Sequence, residues 1–165
     1  MRHRPPPHAA HTTEVCSRLA AAALARGLTV GCAESLTSGR VAAALGAAPD
    51  AASWFRGGIV AYAREVKHGL LRVPAGPVVC AEAARMMADS AAALLGADIT
   101  VAVTGVGGPS EQDGRPVGTV WFAIAGAGRT TVEERHFDGD PARVVEATVA
   151  RAVELLTARV VDPAR

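Results

Sequence analysis

The chain has 165 residues, half of them hydrophobic and only 4% aromatic, with a formal net charge of +1. That length fits one domain able to bury a core without covalent staples. The balanced charge and scarce aromatics leave no electrostatic footprint or stacking platform for nucleic acid and none for an anionic membrane surface.

Three cysteines, Cys16, Cys32 and Cys80, form no C-x-x-C pair. An odd, dispersed set argues against a disulfide framework or a zinc knuckle and points to a reducing cytoplasm. Residues 1–11 are basic and rich in proline and histidine. They read as a disordered tail ahead of a domain over residues 12–165, because the apolar run from Leu19 to Ala25 is short for a signal peptide and meets Arg26. No apolar run approaches the length that crosses a bilayer.

Thr12 or Thr13 can cap a first helix reaching about Ala25, with Val15, Leu19 and Ala22 on one face. Residues 28–33 read as a buried strand, and a helix is expected over about residues 36–45. Pro49 and Asp50 mark a loop that carries Trp54 and Phe55 as exposed aromatics, and residues 57–62 read as a second strand. Lys67 falls on a short helix behind it. After the Pro74-Ala75-Gly76-Pro77 break, Ala83, Met86, Met87, Ser90, Ala91 and Leu94 share a helical face, with Glu82, Arg85 and Asp89 opposite. Residues 99–104 form a third strand. Residues 117–125 and 130–137 form a fourth and fifth, joined by a turn at Gly126-Ala127-Gly128. Asp140-Pro141 opens the last helix as an N-cap followed by proline. This alternation predicts an α/β fold, a three-layer α/β/α sandwich with a mixed, mostly parallel sheet of five to six strands.

Polar clusters fall where such sheets bind ligands, at the carboxyl ends of strands. Ser35 lies at the first strand-to-helix turn. A hydroxyl is a weak nucleophile until its proton is removed, and lysine serves as that base in Ser-Lys acyl-transfer sites. Lys67 is the candidate base, with Tyr62 to relay or orient the proton. Two residues five apart on one helix diverge by about 140°, so Tyr62 must precede the helix that carries Lys67. Backbone N–H groups beside Ser35 can hold an oxyanion or phosphate. Ser35, Thr37 and Ser38 equally fit a plain helix cap.

The segment Thr104-Gly105-Val106-Gly107-Gly108 lacks the following helix of a dinucleotide fingerprint. Its glycines can form an N–H nest or a turn that needs positive φ. Cys32 reads as a small buried hydrophobe and His68 as a surface helix residue. No cluster has metal-ligand spacing, so no metal is expected.

Four runs together are more specific than any of these signals. They are Ala33-Glu34-Ser35-x-Thr37; Arg56-Gly57-Gly58-Ile59-Val60-Ala61-Tyr62 with Lys67; Ala97-Asp98 through Val103-Thr104-Gly105; and Pro116-Val117-Gly118-Thr119-Val120-Trp121. In order and spacing they resemble the CinA C-terminal domain family, whose characterised members are nicotinamide-nucleotide amidases. The resemblance covers nearly everything after the tail. It implies a mixed-sheet α/β/α fold and hydrolysis of the carboxamide of nicotinamide mononucleotide to nicotinate mononucleotide and ammonia, without a cofactor. It also implies a homodimer. A Ser/Tyr/Lys site carries over onto Ser35, Tyr62 and Lys67. Thr37, Ser38, Gly39, Thr104, Gly105, Gly107 and Gly108 are the residues expected to hold the substrate's phosphate and ribose. Many relatives carry a further N-terminal domain similar to molybdopterin-binding proteins, for which this chain is too short.

The sequence departs from the family pattern around the site. Leu36-Thr37-Ser38-Gly39 stands where Cys-Thr-Gly-Gly is common. Tyr62-Ala63-Arg64-Glu65-Val66-Lys67 replaces Tyr-Ser-Asn-x-x-Lys. Arg64 either removes an orienting hydrogen bond or adds a cation that helps keep Lys67 neutral. Cys80 is a poorer cap than the serine that often starts the following helix. A lysine with a reference pKa near 10.4 needs about 4–5 kcal/mol of differential stabilisation to titrate near pH 7. A non-catalytic nucleotide- or partner-binding module of the same fold, or an amidase for another amide, also fits the sequence. The Trp54-Phe55 loop is expected near a dimer interface, unless both rings fold back onto their own core.

Overall fold

A computed structural model describes residues 7–164. Its centre is β1 (Val30–Glu34), five consecutive buried residues, as a strand covered on both faces requires. β2 (Phe55–Val60) and β3 (Ile99–Gly105) flank it in parallel, and β4 (Thr119–Gly126) and β5 (Arg129–His136) continue antiparallel, giving the order β2-β1-β3-β4-β5. The sheet is mixed and five-stranded, as expected. Val30 and Cys32 of β1 and Ile99, Val101 and Val103 of β3 face one core, shared with α1 (Pro7–Arg26), α2 (Arg40–Gly46), α3 (Ala51–Trp54) and α6 (Pro141–Val161). Ala33, Ala102, Ala123 and Ala125 face a second core under α5 (Ala81–Leu95). The period-two alternation of β1 and β3 thus separates the two helical layers.

Local chemistry accounts for the sharper boundaries. Ala127 and Gly128 both have positive φ, 55° and 77°, so a two-residue turn of the primed kind joins β4 to β5. The Asp140 carboxylate accepts from Arg143 N at 2.9 Å and Pro141 opens α6, the cap foreseen from sequence. Among the described residues no helix is long and apolar enough to cross a membrane.

Four expectations change. The first helix starts at Pro7, so residues 7–11, expected in a disordered tail, extend α1; His11 there meets Glu154 of α6 at 3.0 Å. The first six residues of that tail lie outside the described residues. α2 starts at Arg40, four residues later than expected, for a reason that belongs to the site. On α5 the buried stripe is Ala83, Ala84, Met87, Ala88 and Ala91, with Leu94 exposed. Small side chains let α5 lie close on the sheet, and Arg85 and Asp89 are not free but bond Thr130 of β5.

Trp54 is the fourth correction. Asp50 turns the chain with φ 52°, and Trp54 then ends a one-turn helix with 1% of its surface exposed, its Nε1 donating to Pro49 O at 3.0 Å. Phe55 is half-buried against it, with ring centroids 6.1 Å apart. These rings fold back onto the chain's own core. The interface argument built on an exposed pair therefore loses its basis. Trp54→Ala should lower unfolding free energy by about 3–5 kcal/mol, the cost of emptying a buried aromatic site, as read from urea denaturation.

Candidate active site

β1 ends on Glu34, a fully buried acid. A carboxylate in that position needs donors, and α2 supplies them: Gly39 N at 3.2 Å and Val41 N at 2.9 Å to Oε1, and Ala42 N at 2.9 Å to Oε2. Negative charge is also favoured at a helix N-terminus. To bring these groups onto Glu34 the intervening residues must form tight turns. Ser38 N donates to Ser35 O and Arg40 N to Thr37 O, and Ser38 (φ 50°) and Gly39 (φ 94°) take left-handed conformations. This delays α2 relative to the sequence expectation. The N–H groups of Leu36 and Thr37 are not among those engaged.

Ser35, at the top of this turn, is 7% exposed and lines a cleft of about 200 Å³. Tyr62 and Lys67 line the same cleft, with Gly105, Val106, Gly107 and Gly108 after β3, Ser110 and Gln112 beyond them, and Pro141 and Val145 from α6. The structure thus brings the three expected catalytic residues together. Lys67 lies on α4 (Arg64–Gly69), which starts after Tyr62, as the helical geometry required. It is only 2% exposed, and its Nζ donates to the backbone carbonyl of Tyr62 at 2.8 Å. Burial, assisted by the nearby Arg64 cation, lowers its pKa to about 8, while Asp113 and Glu65 pull the other way. The added cation at Arg64 therefore favours the neutral amine.

The Tyr62 side chain is 68% exposed, and the group it offers Lys67 is its carbonyl, not its phenol. A direct proton relay from the phenol to Lys67 is absent from this arrangement; the ring forms part of the cleft rim. Thr104 is also misplaced by the sequence reading. It alternates onto the α5 face, is buried, and donates its hydroxyl to Val78 O at 2.7 Å. Thr37 is buried with its hydroxyl unpartnered among the described residues, Ser38 is exposed and Gly39 is half-buried, and none of the three lines the cleft. With Glu34 occupying the α2 N-terminus, a phosphate has no place there. Gly105 belongs to β3, where a Cβ would come within 2.6 Å of Thr119 O. Gly105, Gly107 and Gly108 form part of the cleft wall.

Sequence reasoning missed Glu34, whose signal was an acid closing an apolar strand just before a helix. It also missed Ser110, Gln112 and the α6 residues, which carry no local signal. A larger cleft, about 490 Å³, lies between α6 and β5. There Arg151 and Glu133 share two bonds of 2.8 Å, Glu154 also accepts from Arg151, and Arg159 donates to Gly126 O and Thr131 Oγ1, so each charged group of its lining is engaged within the fold. The smaller cleft is the one that brings Ser35 and Lys67 together. Among the described residues no group of three or more His, Cys, Asp or Glu could hold a metal ion.

The family model described as the CinA C-terminal domain matches residues 12–160. A CinA-like protein of Citrifermentans bemidjiense is 39% identical over 152 residues, covering 87% of this chain and 36% of that protein. A putative competence-damage inducible protein of Desulforamulus reducens is 37% identical over 134 residues, covering 78% of this chain and 33% of its own length. The chain spans about a third of the length of these curated relatives. Among solved structures, competence damage-inducible protein A from Klebsiella pneumoniae is similar with a TM-score of 0.87 and 37% identity, covering 92% of this chain and 98% of that one. A CinA superfamily protein from Enterobacter cloacae has the same TM-score at 28% identity, covering 97% and 96%.

Two outcomes follow from the geometry. Glu34→Gln keeps the shape but turns amide hydrogens toward N–H donors, so it should cost about 1–3 kcal/mol in urea unfolding. For Lys67, a folded pKa below the unfolded one means the unfolded chain binds more protons between about pH 8 and 10.5. Wild-type stability minus that of Lys67→Met should therefore rise across that window and level off on either side, in denaturation curves measured at each pH.

Proposed function

The chain belongs to the CinA C-terminal domain family, and we propose that it is an amidohydrolase converting nicotinamide mononucleotide to nicotinate mononucleotide and ammonia. The observation that carries this reading is a near-buried serine sharing one small cleft with a desolvated lysine whose pKa is lowered to about 8. Ser35 Oγ attacks the carboxamide carbon and its proton passes to the neutral Lys67 amine. The N–H groups of Leu36 and Thr37 receive the developing oxyanion. Collapse returns the proton from Lys67 to the leaving nitrogen and releases ammonia. Water, deprotonated by the same amine, then attacks the acyl-serine ester, and Ser35 leaves with the proton.

The bond from Lys67 Nζ to Tyr62 O orients the amine. The exposed phenol is suited to close over a bound ring rather than to carry the proton. At about 200 Å³ the cleft is smaller than the ~300–1,000 Å³ typical of ligand pockets. It therefore suits the pyridine carboxamide, with the ribose and phosphate lying outward past Gly107, Gly108, Ser110 and Gln112.

Ammonia release from nicotinamide mononucleotide tests the reading directly. Ser35→Ala should lower kcat by at least ~10³-fold while nucleotide binding persists. Lys67→Arg, which keeps the charge but cannot lose it, should be equally inactive. Because the base must be neutral, kcat/KM should rise with pH through about 8 and flatten above it. Binding without ammonia release would leave a nucleotide-binding module, and release only from other amides would reassign the substrate.

A further inference from the structure

The loop of residues 106–118 between β3 and β4 carries Ser110 and Gln112, the outer wall of the cleft. Its base is closed by Val106 N to Thr119 O and Gly118 N to Val106 O, and Gln112 and Arg115 bond each other near its tip. Between them sits Asp113, in a left-handed conformation with φ 52° and its side chain 9% exposed. One carboxylate oxygen accepts from Val78 N at 2.7 Å and Val79 N at 3.0 Å, and the other from Arg64 Nη2 at 2.6 Å. Arg64 Nη1 in turn donates to Gly76 O at 2.9 Å. A planar guanidinium suits such a fork.

We propose that Arg64 and Asp113 form a clasp that positions the cleft wall, tying the loop bearing Ser110 and Gln112 to the helix bearing Lys67. It rests on the amidase reading only in its kinetic consequences. Arg64 opens α4 three residues before Lys67, on the same side of the helix. The clasp therefore places a cation and an anion near the buried amine, and they act on it oppositely: Arg64 disfavours the ammonium and Asp113 favours it. Glu65 on α4 also favours it, and His68, the other titratable group of α4, is engaged through Nδ1 with Val73 O. Both members hold the wall, so removing either has one effect on substrate binding and contrary effects on the base.

The test compares Arg64→Gln, Asp113→Asn and Arg64→Lys. Both neutralising variants should raise KM for nicotinamide mononucleotide several-fold. Arg64→Gln should move the Lys67 titration to higher pH and Asp113→Asn to lower pH, each by about half a unit, the size expected of a partly screened charge contact. Arg64→Lys keeps the charge without the fork, so it should raise KM while leaving the titration near that of wild type. Lysine side-chain NMR of Lys67 reads the titration, and amide hydrogen exchange at Val78 and Val79 should accelerate in Asp113→Asn. Both measurements stand without turnover, so an inactive wild type would sink the amidase reading and leave the clasp testable. Titrations that move in the same direction in both neutralising variants, or unchanged KM with Val78 and Val79 still protected, would overturn the proposal.

Discussion

The Glu34 carboxylate lies fully buried at the end of the central strand, where an unpaired charge would cost several kcal/mol. Three N–H groups of α2 and the positive end of that helix compensate it. Much of the site follows from satisfying this one acid. The chain must travel away from β1 and return before α2 begins, which leaves Ser35 at the crest of a turn and Ser38 and Gly39 in left-handed conformations. It also consumes the donors that a helix terminus would otherwise offer a ligand. For the helix to reach the acid, α2 must pack hard against the sheet. At Gly58, a Cβ would fall 2.7 Å from Cys32 Sγ and 3.0 Å from Ala42 Cβ, so only glycine accommodates that approach. Cys32 is held as a thiol by burial and by Glu34 beside it, its pKa well above the ordinary value.

Lys67 is governed by the opposite economy, since nothing nearby neutralises it fully. A pKa of about 8 corresponds to about 3 kcal/mol of disfavoured ammonium, most of the 4–5 kcal/mol needed to titrate near neutrality. Desolvation leads, the Arg64 cation adds to it, and Asp113 and Glu65 oppose it. About a tenth of the amine is then neutral at pH 7, the fraction on which the proposed base role draws.

The strands, the late hairpin and the cap of α6 were legible because each depends on near-neighbour chemistry: alternation, a turn dipeptide, an Asp-Pro pair. Ser35 and Lys67 were legible from residue type, resemblance and the geometry that sets Tyr62 before α4. The start of α2 was not, because a side chain from the preceding strand competes with the helical period of residues 36–45. Trp54 was misread because its burial depends on the reversal at Asp50, and Thr104 because the side it faces is decided by the register of β3 against its neighbours. The partner of Arg64 lies 49 residues away, beyond any local signal.

Topology explains why these parts meet. From β1 the chain crosses to β2 through α2 and α3 on one face of the sheet, then returns past β1 to β3 through α5 on the other face. Right-handed crossovers in opposite directions must lie on opposite faces, so the chain leaves the carboxyl ends of the neighbouring strands β1 and β2 toward opposite faces and opens a crevice at that end of the sheet. The residue following β1 sits at its floor. Ser35 occupies that place, Lys67 reaches it from behind β2, and the loop after β3 closes the third side. Beyond β3 the sheet turns antiparallel, and the hairpin of β4 and β5 adds an edge without adding another such opening. The switch point therefore fixes where a nucleophile can be presented, and Glu34, one residue earlier, fixes how.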